Sequence, residues 1–141
     1  MQLVADLLGL DRWDLERWLP GFVTSVDHSR GADLDRSAGA WFQVGRPPLA
    51  LLAIGPTGIT VAVPLVEWQG PADPVLRSED HRHVPFGDLL ADLVPVHLDE
   101  VVRIRRSRFH TCVDCEQDKP PEWMEGDLCH SCMERNHGVV F

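Results

Sequence analysis

The chain has 141 residues, 44% of them hydrophobic, with 22 acidic against 13 basic side chains and a formal charge of −9. That length and apolar fraction suit one globular domain or one domain with a small appendage. The charge works against nucleic acid or an anionic membrane as a partner of the whole surface, so any such contact has to be local.

The opening "MQLVADLLGL" is interrupted by Asp6, with no Lys or Arg before it and no small-residue cleavage site after it. It does not read as an export signal, and the expected location is cytoplasmic. Residues 2–8 carry a short helical signal ended by Gly9. Asp11 is placed to cap a second helix, "RWDLERWL", in which Trp13 and Trp18 anchor an apolar face before Pro20 and Gly21 stop it.

"FVTSV" and "GAWFQVG" have strand character and flank a polar loop, "DHSRGADLDRSA". Within that loop Asp27, His28 and Ser29 spell the letters of a triad, but neighbouring residues cannot adopt triad geometry. The clearest element follows: "LALLAIG", a "GPTG" turn at 55–58 and "ITVAVPLVEW", a hairpin whose near-continuous apolar arms predict burial on both faces. The turn lacks the lysine and glycine spacing of a phosphate-binding loop. Gly55, Pro56, Gly58 and Pro64 break the longest apolar run into strands, so no membrane span is expected.

Residues 69–85, rich in proline and charge, read as a surface loop in which His81 and His83 offer a weak second metal site. "FGDLLADLV" has helical spacing through Phe86, Leu89, Leu90 and Leu93 and is expected to stop at Pro95. "VHLDEVVRIRRSRF" reads as a strand around Val101–Ile104. On a strand, Arg103 and Arg105 would face one way and Arg106 and Arg108 the other, giving no single basic face.

Charge divides the chain near Arg103: residues 1–102 carry −8, residues 103–141 only −1. A tail of about 39 residues is too short to fold on apolar burial alone. All four cysteines lie in it, at Cys112, Cys115, Cys129 and Cys132, as two CxxC pairs. Each pair presents two thiolates from one tight turn, and two pairs complete a tetrahedron of soft ligands suited to one Zn²⁺. Iron in a similar thiolate site, redox-active or disulfide cysteines, and a Cys₃His set drawing on His110, His130 or His137 are the alternatives. Pro120 and Pro121 break regular structure between the pairs, Gly126 supplies a hairpin turn, and "HSCMERNHG" reads as a short helix ending at Gly138.

This knuckle, hairpin and helix over 112–138 resembles treble-clef and related four-cysteine zinc fingers, although Glu116 stands where the commonest knuckle has glycine. The resemblance implies a structural zinc and a role in binding protein or nucleic acid. The expected architecture is therefore α+β: a small antiparallel sheet with flanking helices over 1–102, and a zinc-finger module over 103–141 packed on it. The expected function is a non-enzymatic interaction or regulatory protein that binds another protein. Trp123 and Met124 then either seal the finger against the main domain or anchor the partner. A nucleic-acid regulator acting through Arg103, Arg105, Arg106 and Arg108 is the second reading, and an enzyme of unrecognised chemistry in the first hundred residues the third.

Overall fold

The computed structural model describes residues 23–29, 31–70 and 73–138. The two helices expected before residue 20, with Trp13 and Trp18, lie outside these residues. Five strands, β1 (Val23–Ser25), β2 (Ala40–Val44), β3 (Ala50–Ile54), β4 (Gly58–Trp68) and β5 (Pro74–Pro85), form one antiparallel sheet in chain order. An 18-residue helix, α1 (Leu90–Ser107), covers one face. The tail adds two short pairs, β6 (His110–Thr111) with β7 (Asp118–Lys119) and β8 (Met124–Glu125) with β9 (Leu128–Cys129), and then helix α2 (His130–His137). The fold class is α+β.

The β3–β4 hairpin is the heart of the core because its side chains are apolar on both faces. Leu52, Ile59, Val61 and Val63 pack under Leu90, Val94, Leu98 and Val101 of α1. Leu51, Ala53 and Ala62 point the other way, against Trp41, Leu34 and Leu76. Burying each large aliphatic side chain contributes about 1.5–3 kcal/mol. Val26, Ala32, Leu34 and Ala38 from the polar segment before β2 lie against this second face, where the Trp41 indole donates to the Asp35 carbonyl at 2.8 Å. In the same segment Asp27 Oδ1 accepts from the backbone N–H and hydroxyl of Ser29, a turn-forming contact rather than a catalytic one.

Two expectations are corrected. Residues 74–85 form a strand, not a loop, paired along β4 with a register shift between Val61 and Val63. An edge strand needs apolar side chains only where it meets the core, here at Leu76 and Val84, and charge elsewhere along it discourages pairing with other chains. His81 and His83 thus stand on a strand, with separate partners: Ser78 Oγ lies 2.8 Å from His81 Nε2, and Thr60 Oγ1 lies 3.1 Å from His83 Nδ1.

The second correction concerns α1. It continues through Pro95 and absorbs the segment expected as a strand. Pro95 removes one backbone donor near the helix start, at a cost of roughly 3 kcal/mol in a helix interior. The buried stripe Leu90, Val94, Leu98, Val101 and Arg105 recurs at helical intervals on both sides of the proline, and its packing on the sheet outweighs the break. Arg103, expected at the boundary of the tail, sits inside this helix. Among the described residues no helix is long and apolar enough to cross a membrane.

Candidate metal centre

The tail wraps the four cysteines. Cys112 and Cys115 sit on the turn between β6 and β7, and the Glu116 N–H closes that turn on the Cys112 carbonyl at 2.8 Å. Glu116 takes φ 59°, the left-handed conformation that costs an L-residue about 1–2 kcal/mol and explains the usual preference for glycine there. Replacing Glu116 with Gly relieves this strain but frees the unfolded chain. The expected net gain is of the order of 0.5–1 kcal/mol, read as a higher urea midpoint of the metal-loaded protein, whereas Glu116→Val should lower it.

The β8–β9 hairpin, turning at Gly126 with φ 61°, returns the chain to the knuckle, where the Val113 N–H donates to the Asp127 carbonyl at 3.0 Å. It delivers Cys129 to the position preceding α2, and Cys132 follows in the first turn of that helix, which ends on left-handed Gly138.

All four sulfurs lie within 4.8 Å of one another. Four sulfurs around one ion at a Zn–S distance of about 2.3 Å stand roughly 3.8 Å apart, and a disulfide brings them to about 2.05 Å. Cys115 Sγ and Cys129 Sγ are 3.9 Å apart, so the donor set fits a single tetrahedral ion and no pair is bonded. Among the described residues these cysteines make the one such group of potential ligands. His110 is exposed and His130 turns its ring toward Trp68, 6.2 Å between centroids; the His137 side chain lies outside the described residues.

Backbone N–H groups soften the charge that the site accumulates. The donors of Cys115 and Cys129 point at Cys112, the second at 3.4 Å from its sulfur, and draw its thiol down to about 6. Burial, and then its sulfur neighbours, push the Cys132 thiol up to about 12. A metal has to displace that proton, so metal affinity falls on acidification. The Arg135 guanidinium, one turn along α2, reaches to 4.0 Å of Cys132 Sγ.

Of the four arginines read as a possible nucleic-acid contact, three are engaged by carboxylates. Arg103 pairs with Asp99 at 2.6 Å, Arg108 with Glu79, and Arg105 is buried against Glu122; Arg106 is exposed. Arg105 also donates from Nε to the Pro48 carbonyl at 2.9 Å and stacks on Phe109. Its ion pair, which is 1% and 3% exposed, ties α1 to the 3-10 turn Pro121–Trp123 of the tail. Trp68, at the end of β4, where that strand has run past β3 and pairs only with Pro74 of β5, donates from its indole to the Glu122 carbonyl at 2.9 Å.

Of the two residues singled out between the cysteine pairs, Met124 packs on the cysteines. Trp123 instead remains 41% exposed, and Trp68 45%, beside a groove of about 350 Å³ that also reaches Lys119, His130 and Glu134. Arg135 and the contribution of Trp68 escape sequence reasoning. The spacing Cys132 to Arg135 is a helical neighbour pair and is a usable signal for the first; the second depends on a contact across 54 positions.

The chain matches no known family profile, no curated protein and no solved structure.

Proposed function

We propose that this chain is a non-enzymatic protein-interaction module of the cytoplasm, in which one zinc ion holds a treble-clef-like finger against an α+β domain. Zinc is the ion we favour, because Zn²⁺ accepts four tetrahedral thiolates without geometric penalty and is the usual ion of structural sites with this ligand set. Four sulfurs close the coordination shell and leave no open position for substrate or water, which favours a structural over a catalytic ion. The single observation that carries the reading is the closed sulfur set lying directly under an open groove between two tryptophans. The metal then shapes a binding surface. Tryptophan is enriched at the energetic centres of protein interfaces.

The nucleic-acid reading ranks lower on specific grounds. Three of its four arginines are held by carboxylates, and the surrounding charge opposes phosphate. The test is affinity capture by the full chain from a native extract, with and without nuclease, beside titrations of duplex and single-stranded DNA and RNA over a salt series. The expected result is a retained protein that survives nuclease and is lost on chelation, with no tight nucleic-acid binding at physiological salt. Tight, arginine-dependent nucleic-acid binding would reverse the ranking.

A further inference from the structure

The groove between the sheet and the finger has a definite chemical character. Trp68 forms one wall and Trp123 another, both about half exposed, with His130 and the buried Cys129 beneath. Two charged groups line it, Lys119 and Glu134. The Lys119 ammonium already stands over the Trp123 ring, 6.0 Å from its centroid, so this indole face accepts a cation.

The charge around the groove points the same way. Residues 112–137 hold seven acidic side chains against two basic ones, Lys119 and Arg135, a formal −5. A divalent ion bound by four thiolates adds about −2 more. Arg105 offsets only Glu122, and it does so within the interior. Six of the seven residues that line the groove belong to this acidic segment, Lys119 and Glu134 balance each other in the lining itself, and the net negative charge of the segment around them favours a cation over a phosphate.

Building on the protein-interaction reading, we infer that the groove of Trp68, Trp123 and Glu134 receives an arginine or lysine side chain from a basic segment of a partner protein. The cationic head lies against the indoles and near the Glu134 carboxylate, and its alkyl stem covers apolar ring surface. Lys119 is then an internal competitor, whose ammonium occupies one of the faces the incoming cation needs.

The full, zinc-loaded chain can be tested with dye-labelled peptides of alternating arginine and glycine, the same peptide with glutamine for arginine, and a short DNA duplex, each by fluorescence anisotropy. The arginine peptide is expected to bind, and Trp68→Ala, Trp123→Ala and Glu134→Gln each to weaken it, the tryptophan changes by about tenfold. Lys119→Gln is expected to strengthen binding several-fold, an effect that general loss of structure cannot imitate. Metal content and far-ultraviolet dichroism of each variant show that the finger remains folded. Failure of the arginine peptide to bind, equal binding of the glutamine peptide, or indifference to Trp123→Ala in a folded variant would each overturn the basic-segment assignment and leave the protein-interaction reading standing. Preference for the DNA duplex would overturn both.

Discussion

Replacing Cys129 with Ser should release the metal and unfold the tail while the sheet and most of α1 persist. Apparent binding free energies of structural zinc sites are about 10–16 kcal/mol near neutral pH, and folding of such a site is coupled to that binding. The tail offers little to replace it: apart from the cysteines, its apolar cluster consists of the partly buried Met124 and Leu128. The sheet side of the molecule has its own two clusters, which contain no cysteine. Limited proteolysis should therefore cut the variant first between β6 and α2, leaving a resistant fragment that contains β1–β5. A variant with wild-type metal content and unchanged resistance in the tail would contradict this.

The second large effect is expected at Glu122. Alanine there strands the Arg105 guanidinium in the interior, and removing one partner of a buried ion pair typically costs about 3–5 kcal/mol. Most domains are stable by only about 5–15 kcal/mol, so the chain should come close to its unfolding threshold. The double replacement Arg105→Met with Glu122→Met removes both charges and should be much less damaging than Glu122→Ala alone. Urea unfolding of the three variants makes the comparison. If the double variant is as unstable as the single, the pair acts through packing, not charge. The ion pair also fixes where the cysteine-bearing tail sits, since Glu122 meets both Arg105 and the Trp68 indole.

The parts of this structure that are legible in the sequence are those whose cause is local. The β3–β4 hairpin declares itself because a turn motif separates two nearly continuous apolar runs, and both faces are indeed buried along β3 and the first seven residues of β4. The cysteine pairs declare themselves through spacing, and the hairpin and helix between and after them follow from Pro121, Gly126 and Gly138. Even the oddity at Glu116 is visible as a departure from the usual knuckle, and it surfaces in the structure as a left-handed residue.

What is illegible depends on distant partners. β5 carries the composition of a loop because only Leu76 and Val84 must be apolar at the sheet edge. α1 hides behind Pro95 and behind β-branched Val101, Val102 and Ile104, whose strand preference is overruled by packing against the sheet. Its stripe is also disguised by ending on Arg105, a charged side chain buried only because Glu122 meets it 17 positions later. The groove is the extreme case, for Trp68 and Trp123 come together only when the cysteine-bearing tail packs on the end of β4.

The central claim is that Cys112, Cys115, Cys129 and Cys132 together hold one structural zinc ion. Elemental analysis of the full chain, purified under reducing conditions without added metal, tests it most directly when paired with a count of reactive thiols before and after chelation. The account predicts one zinc per chain and four thiols that react only once the zinc is removed. Iron in its place, a chain with no metal, or thiols that react freely in the native protein would contradict it.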